Sequence, residues 1–203
     1  MIKRDLLEAI KPFLKRKEYI AIIGPRQSGK TTLSQAVFKN KPYVLLETPD
    51  LLGYAQTDPR GFLNDYPEGA ILDEIQKAPE LMSYIMGIVD KRKEAGLYIL
   101  TGSQNVLLLK TVKQSLAGRV GVLDLLPLSI YELPVDSRKD YQNLIFNGGY
   151  PKIWSDSLNP TDTLRSYNRT YLDRDIKDII DIRNLTIFQT FLNPFLTMKK
   201  DHY

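Results

Sequence analysis

The segment that most constrains the fold of this chain is GPRQSGKTT at residues 24–32, which fits the pattern G-x-x-x-x-G-K-[ST]. Gly24 and Gly29 let the backbone wrap a bound group where a Cβ atom would obstruct it. Successive backbone N–H groups then form a nest for an anion at the start of a helix, with the helix dipole behind it. The segment therefore predicts a phosphate-binding loop between a strand and a helix. The alternative is a tight turn without a ligand.

Within this loop, we expect Lys30 to reach the β- and γ-phosphates of a nucleotide and the Thr31 hydroxyl to ligate Mg²⁺. For Arg26 and Gln27 we expect backbone contacts, because side chains at such loop positions often point outward. The predicted nucleotide-binding residues make up the whole segment: Gly24, Pro25, Arg26, Gln27, Ser28, Gly29, Lys30, Thr31 and Thr32.

Five short apolar runs, at 19–23, 43–47, 70–72, 97–100 and 120–126, alternate with segments of helical periodicity. Strands that are apolar along their whole length and are joined by helices are typical of a parallel sheet covered on both faces. The sequence therefore predicts an α/β fold for residues 1–130, a three-layer α/β/α P-loop NTPase with a five-stranded parallel sheet. Residues 131–203 are predicted to form a small, mostly helical extension.

Local signals predict where several helices begin and end. The N-terminal amphipathic helix is expected to end or be interrupted near Pro12, since proline lacks the backbone N–H. Asp58 is the predicted N-cap of a helix whose first residue is Pro59. Further helices are predicted from about Pro79, over about 105–116 and from Pro160.

The third apolar run ends in an acidic pair, Asp73 and Glu74. Asp73 is expected to partner Thr31 in holding Mg²⁺, and Glu74 to polarise an attacking water, because hydrolysis of a γ-phosphate needs both a placed metal and an oriented water. The alternative is a helix N-cap or a surface pair.

Polar residues also follow the fourth run, at 101–104, where we expect a turn near the same mouth of the sheet. Ser103 or Gln104 would contact the γ-phosphate or the water there, and the alternative for Ser103 is a helix cap. Arg119 is a candidate for stabilising transition-state charge, with a surface arginine as the alternative.

The motifs together resemble one family of proteins. GPRQSGKTTL, LETPD, DPRGFL, AILDEIQKAPEL, YILTGSQNVLLL, SLAGRVGVLDLLPLS and NGGYP follow in one order across residues 1–185. This set resembles the bacterial and archaeal AAA-type ATPases that carry a C-terminal domain of unknown function. The resemblance implies an ATP-binding core, with Asp73 and Glu74 as the metal and water residues and Ser103 and Gln104 as a sensor turn.

Members of that family continue into a winged-helix-like segment and then the uncharacterised domain. This chain stops at Tyr203, so a C-terminally truncated member is expected.

Composition excludes several other classes. The chain has no cysteine, which excludes disulfides and thiolate metal sites, and its single histidine, His202, is next to the C-terminus. No apolar run is long enough to span a membrane, and the expected location is the cytoplasm. The net charge of +4 is weak support for DNA as a partner, since the basic clusters at 15–17 and 91–93 suit predicted helix ends. The sequence does not decide whether the chain forms a homo-oligomer.

The function predicted is Mg²⁺-dependent ATP binding and hydrolysis by an ATPase. The alternative is a nucleotide-gated binding module or switch with little turnover. A small-molecule kinase is a third class, against which stands the acidic pair at 73–74, since it suits a water nucleophile. A GTPase is disfavoured because the chain lacks an N-K-x-D motif.

Overall fold

The computed structural model describes residues 2–16, 19–92, 94, 96–103 and 120–171. Within these ranges the strands are β1 (Tyr19–Gly24), β2 (Tyr43–Leu45), β3 (Ile71–Asp73), β4 (Ile99–Ser103) and β5 (Val120–Asp124). The α-helices are α1 (Leu6–Arg16), α2 (Lys30–Val37), α3 (Pro49–Thr57), α4 (Pro59–Asn64), α5 (Leu81–Arg92), α6 (Tyr141–Asn147), α7 (Pro151–Ser155) and α8 (Pro160–Tyr171). Short 3₁₀ helices lie at Ile75–Lys77, Ile130–Glu132 and Val135–Lys139.

The described strands form one five-stranded sheet in the order β2-β3-β4-β1-β5, and every neighbouring pair is parallel. The fourth strand along the chain is therefore inserted between the first and the third. Its register pairs Gly24 with Ser103 on one side and Asp73 with Thr101 on the other. The carboxyl ends of three central strands consequently meet at one edge of the sheet.

Alternation along the strands sends side chains to two separate cores, because successive residues of a strand point to opposite faces. In β1, Ile20 and Ile22 join the core beneath α1 and α2, which includes Ile10 and Leu33. The residues that alternate with them pack with side chains of α3, α4 and α5, namely Tyr19, Ala21 and Ile23. These two cores cover both faces of the sheet, so the predicted three-layer α/β class is confirmed.

Two local predictions were wrong. Residues 101–103 are not a turn but the last part of β4, because they pair with residues 22–24 of β1. The N-terminal helix does not end at Pro12 but continues to Arg16, with Ile10 only 1% exposed against the sheet. The amphipathic face packs on the sheet on both sides of the proline, and this packing outweighs the lost backbone hydrogen bond.

Other local predictions were correct. Asp58 caps α4, accepting a hydrogen bond from the Gly61 N–H at 2.9 Å, and Pro59 is its first residue. A helix begins at Pro160 as predicted, and α5 begins at Leu81, close to the predicted Pro79. The helix predicted at 105–116 lies outside the described residues.

The segment after β5 joins the core through the backbone. The Leu128 N–H donates to the Gly149 carbonyl at 2.6 Å, and the Trp154 indole N–H donates to the Gly148 carbonyl at 2.8 Å. The first bond joins the residues before α7 to the segment that follows β5, and the second lies between α7 and the residues before it. The division of the chain at residue 130 stays a prediction. No helix in the described part of the chain is long and apolar enough to cross a membrane.

A pair of leucines tests the core. Leu72 in β3 has no exposed surface, whereas the Leu126 side chain is 59% exposed. Replacing Leu72 by alanine leaves a cavity in the central layer, so we expect Leu72→Ala to lower the unfolding free energy by about 2–5 kcal/mol. The matched change Leu126→Ala should cost less than about 0.5 kcal/mol. Denaturant titrations measure both, and equal effects would contradict the described core.

Candidate functional site

The glycine segment forms a tight loop between β1 and α2. Gly29 has φ 94° at the N-cap of α2, a conformation that a side chain disfavours. At the other end, a Cβ atom on Gly24 would lie 2.1 Å from the Leu125 carbonyl oxygen. The two glycines are therefore required by this backbone path, as the sequence predicted.

The side chains of Lys30 and Ser28 lie in the interior of the loop. Lys30 is 6% exposed, and its ammonium group donates to the carbonyls of Gly24 at 2.9 Å and Pro25 at 3.0 Å. The Ser28 hydroxyl is buried and has no hydrogen-bond partner among the described residues. A buried hydroxyl without a partner is rare in folded proteins and suits a site that takes a polar ligand.

Asp73 is the centre of a hydrogen-bond cluster at the end of β3. Among the described residues, four groups donate to its carboxylate. The hydroxyls of Thr31 and Tyr43 each donate to Oδ2 at 2.7 Å, the Thr101 hydroxyl donates to Oδ1, and the Glu74 N–H donates to Oδ1 at 3.1 Å. The cluster joins residues of α2, β2, β3 and β4, so it fixes the carboxylate beside the Thr31 hydroxyl.

Burial and the neighbouring Asp73 raise the pKa of Tyr43, because ionisation would place a second negative charge in the same cluster. The phenol therefore stays protonated and remains a donor. Asp73 and Thr31 together offer hard oxygen atoms, the donor set that magnesium prefers.

Glu74 has φ 60° and ψ 44°, the left-handed region that is unfavourable for a residue with a side chain. Such backbone strain is concentrated at functional sites. The carboxylate of Glu74 accepts a hydrogen bond from the Gln76 amide, which also donates to the Ser103 hydroxyl at 3.2 Å. Burial, with a further contribution from Asp73, raises the pKa of Glu74 despite the opposing effects of Gln76, Arg26 and Lys30.

A cavity of about 720 Å³ opens above the loop and reaches from the acidic pair to α7. Its lining residues are Ile2, Arg4, Arg26, Gln27, Gly29, Lys30, Thr31, Thr32, Leu33, Asp73, Glu74, Pro151, Lys152, Ser155 and Asp156. The volume lies within the range of small-molecule sites. Most of the predicted binding residues line this one cavity, and both members of the acidic pair do so too.

A buried arginine connects the loop to the residues after β5. Arg4 donates to the Ser28 carbonyl at 2.7 Å, to the Leu126 carbonyl, and to the Glu132 carboxylate at 2.8 Å. The two charged side chains are only 8% and 6% exposed. Burial alone would raise the pKa of Glu132, but the N–H groups of Ser129 and Asp5 together with Arg4 lower it overall. Through the bond from Arg4 to the Ser28 carbonyl, this ion pair supports the backbone of the phosphate loop.

The predicted site residues do not all fall within the described residues. Lys30, Thr31, Asp73, Glu74 and Ser103 lie together at the carboxyl edge, whereas Gln104 and Arg119 lie outside the described residues. The sequence analysis missed Tyr43, Thr101 and Gln76 as contacts of the acidic pair, and also Arg4 and Glu132. The DEIQ segment was quoted for its resemblance and could have drawn attention to Gln76, but no local pattern identifies the others.

A parallel sheet with a glycine loop after β1 and an acidic pair after β3 defines the class of nucleotide-binding, ATPase-like α/β proteins. The chain belongs to the AAA domain family, whose model matches residues 16–134. A second model, of a domain of unknown function (DUF8612), matches residues 138–198. The resemblance to AAA-type proteins with an uncharacterised C-terminal domain is thereby confirmed.

Two curated relatives are the uncharacterized proteins Rv2008c of Mycobacterium tuberculosis and Mb2031c of Mycobacterium bovis. Each is 27% identical over 180 residues, which cover 87% of this chain and 40% of the relative. The chain thus spans less than half the length of these relatives.

Two solved structures are similar at low identity. One is PH0952 of Pyrococcus horikoshii, a Signal Transduction ATPase with Numerous Domains (STAND) protein that has a tetratricopeptide repeat sensor. It is 15% identical with a TM-score of 0.44, and the match covers 84% of this chain and 28% of that one. The other is PCH-2 of C. elegans, which is 13% identical with a TM-score of 0.42. This match covers 88% of this chain and 55% of PCH-2.

The Arg4–Glu132 pair gives a pH-dependent contribution to stability. Because the folded pKa of Glu132 lies below the ordinary 4.5, its charged form stabilises the fold above that pH, and the contribution is lost as the pH falls through the folded pKa. We expect Glu132→Gln to lower the unfolding free energy by about 1–3 kcal/mol at pH 7. The difference from wild type should shrink below about pH 4.5.

Denaturant titrations across pH 3–7 measure this difference. The control is Glu8→Gln, since Glu8 pairs with Lys11 on the surface with both side chains 63% exposed. That variant should change stability little at any pH. A Glu132→Gln difference that does not vary with pH would contradict the assignment.

Proposed function

We propose that this protein binds and hydrolyses ATP with the help of Mg²⁺. The observation that carries the proposal is the hydrogen bond of 2.7 Å between the Thr31 hydroxyl and the Asp73 carboxylate. It brings the predicted metal residues together at the mouth of the glycine loop, with Glu74 beside them. The matched AAA domain supports a nucleotide as the ligand.

In this proposal Thr31 and Asp73 hold Mg²⁺, which when bound neutralises charge on the phosphate oxygens. The N–H groups of residues 24–32 bind the phosphate chain. Lys30 moves its ammonium group from the carbonyls of Gly24 and Pro25 to the β- and γ-phosphates, which offer charged acceptors in place of neutral ones.

Glu74 orients and deprotonates the attacking water. The raised pKa of its carboxyl suits a general base, because a base works best when its pKa approaches the working pH. The water oxygen forms a bond to the γ-phosphorus while the bond to the β-phosphate oxygen breaks, so ADP and inorganic phosphate leave. The Ser103 hydroxyl accepts a hydrogen bond from Gln76, which also bonds Glu74. Through Gln76, Ser103 would respond together with Glu74 when a γ-phosphate is bound.

A nucleotide-gated switch is the second candidate. The Gln76 amide donates to both Glu74 and Ser103, so one side chain couples the predicted water residue to the predicted sensor. An arrangement that held Glu74 away from the water would give tight ATP binding with little turnover. Single-turnover and steady-state measurements distinguish the two candidates.

Two substitutions test hydrolysis. We expect Glu74→Gln to lower kcat by roughly 10²–10⁴ while ATP still binds, because the change removes the base but keeps the shape of the side chain. We expect Lys30→Ala to weaken both ATP binding and hydrolysis, since it removes the buried ammonium group. Phosphate release and titration with a fluorescent ATP analogue provide the measurements.

Surface residues of the same types serve as controls. Lys41 bonds the Glu68 carbonyl away from the cavity, and the Glu68 side chain is 87% exposed. Lys41→Ala and Glu68→Gln should leave both binding and turnover unchanged. Unaltered affinity and turnover in Lys30→Ala would refute the proposal, whereas tight ATP binding without wild-type turnover would favour the switch.

The proposed location is the cytoplasm. Specific activity measured against protein concentration, with and without DNA, tests whether the chain acts as a homo-oligomer. A rise with concentration indicates a site shared between copies of the chain, and a constant value indicates a site completed within one chain. A stimulation by DNA at constant protein would add DNA as a partner.

A further inference from the structure

Arg26 occupies the third position of the glycine loop, and its side chain reaches far from β1. Its guanidinium Nη2 lies 3.9 Å from Oε1 of Glu47, which follows β2. In the sheet order β2-β3-β4-β1-β5, two strands separate β2 from β1. With neighbouring strands about 4.8 Å apart, the loop and this side chain together bridge roughly 14 Å. The contact therefore crosses the carboxyl ends of β4 and β3.

The residues beneath that crossing are those of the proposed reaction. Asp73 ends β3, Glu74 follows it, and Ser103 ends β4. Arg26 lines the same cavity as Lys30, Asp73 and Glu74. A guanidinium in this place lies on the side of the cavity where a γ-phosphate and its attacking water would be bound.

The neighbouring loop residues Arg26 and Gln27 differ in how far their side chains are shielded from solvent. Gln27, directly after Arg26, has φ 61° in the left-handed region. Gln27 is exposed, whereas the Arg26 side chain is only 21% exposed. The expectation that Arg26 offers only its backbone to a ligand does not account for a side chain that is largely shielded from solvent in a residue that lines the cavity.

We propose that Arg26 is a catalytic residue that stabilises, within the same chain, the negative charge that develops on the transferred phosphoryl group. The inference rests on the proposed ATP hydrolysis. A guanidinium offers donors in a fixed fork that matches phosphate oxygens, and it stays charged at all working pH values. Glu47 holds the guanidinium over the site, and the phosphoryl oxygens replace it as the partner during the reaction.

Groups already named account for every bond and proton that changes in the reaction that Arg26 assists. Water forms the new bond to phosphorus, the β-phosphate oxygen leaves with its electron pair as ADP, and Glu74 takes the proton of the water. Arg26 exchanges no atom or proton. It lowers the barrier through charge and hydrogen bonds that strengthen as the bridging bond breaks.

The test compares the affinity for ADP with the affinity for ADP plus aluminium fluoride, a mimic of the transferred phosphoryl group, alongside ATP turnover. Arg26→Ala should lower kcat by roughly 10³-fold, the lower end of the contribution of such arginines, and should lower the affinity for the aluminium fluoride complex in parallel. The affinity for ADP alone should stay within about threefold, because ADP lacks the group that Arg26 contacts.

Three further variants separate catalysis from structure. Arg26→Lys keeps the positive charge but lacks the forked donors of the guanidinium, so its kcat should lie between those of wild type and Arg26→Ala. If Arg26→Ala does not fold, Arg26→Lys is used for the comparison of ADP with ADP plus aluminium fluoride. Glu47→Gln should lower kcat less than Arg26→Ala does, because the guanidinium remains and loses only its ion-pair partner. Arg60→Ala, an exposed arginine of α4, should match wild type.

Each result decides the inference. Wild-type kcat in Arg26→Ala would overturn it, as would equal losses of kcat in Arg26→Ala and Glu47→Gln, which would indicate a structural ion pair. A loss of ADP affinity equal to the loss of aluminium fluoride affinity would also overturn it. If the wild-type chain binds ADP but shows no turnover, the proposed hydrolysis itself fails, and this outcome is visible before any variant is compared.

Discussion

The site depends on one buried carboxylate. Asp73 accepts hydrogen bonds from Thr31 in α2, Tyr43 in β2, Thr101 in β4 and the N–H of Glu74. A buried charge is costly unless it is fully hydrogen-bonded, so these donors are a condition for keeping a carboxylate at 4% exposure. They also tie three neighbouring strands and the helix after the glycine loop to one point. Any change in the sheet order would separate the donors and leave the charge uncompensated.

Local patterns predicted the parts of this arrangement that depend on neighbouring residues. The glycine spacing predicted the loop because the backbone path between Gly24 and Gly29 needs residues without a Cβ atom. The apolar runs predicted a parallel sheet, and the central strands β1, β3 and most of β4 are buried on both faces. The same patterns located the acidic pair at a strand end, since Asp73 and Glu74 follow such a run directly.

The remaining features depend on contacts between distant segments. The insertion of β4 between β1 and β3 brings Thr101 to Asp73, and no periodicity within either strand encodes that order. Tyr43 was assigned to a strand, but its contact with Asp73 depends on which strands are neighbours. Residues 101–103 were predicted as a turn because their composition is polar, yet pairing with β1 extends the strand through them. Arg4 and Glu132 are 128 positions apart, and only the folded chain joins them.

The cavity has walls from two parts of the chain, and this has a thermodynamic consequence. Gly29 and Thr32 of the glycine loop face Pro151 and Ser155 of α7 across the same space. A ligand that contacts both walls binds more tightly when α7 is docked, and by linkage it favours the docked position by the same free energy. A change that shifts α7 would therefore alter the affinity of the loop for such a ligand without touching the loop itself.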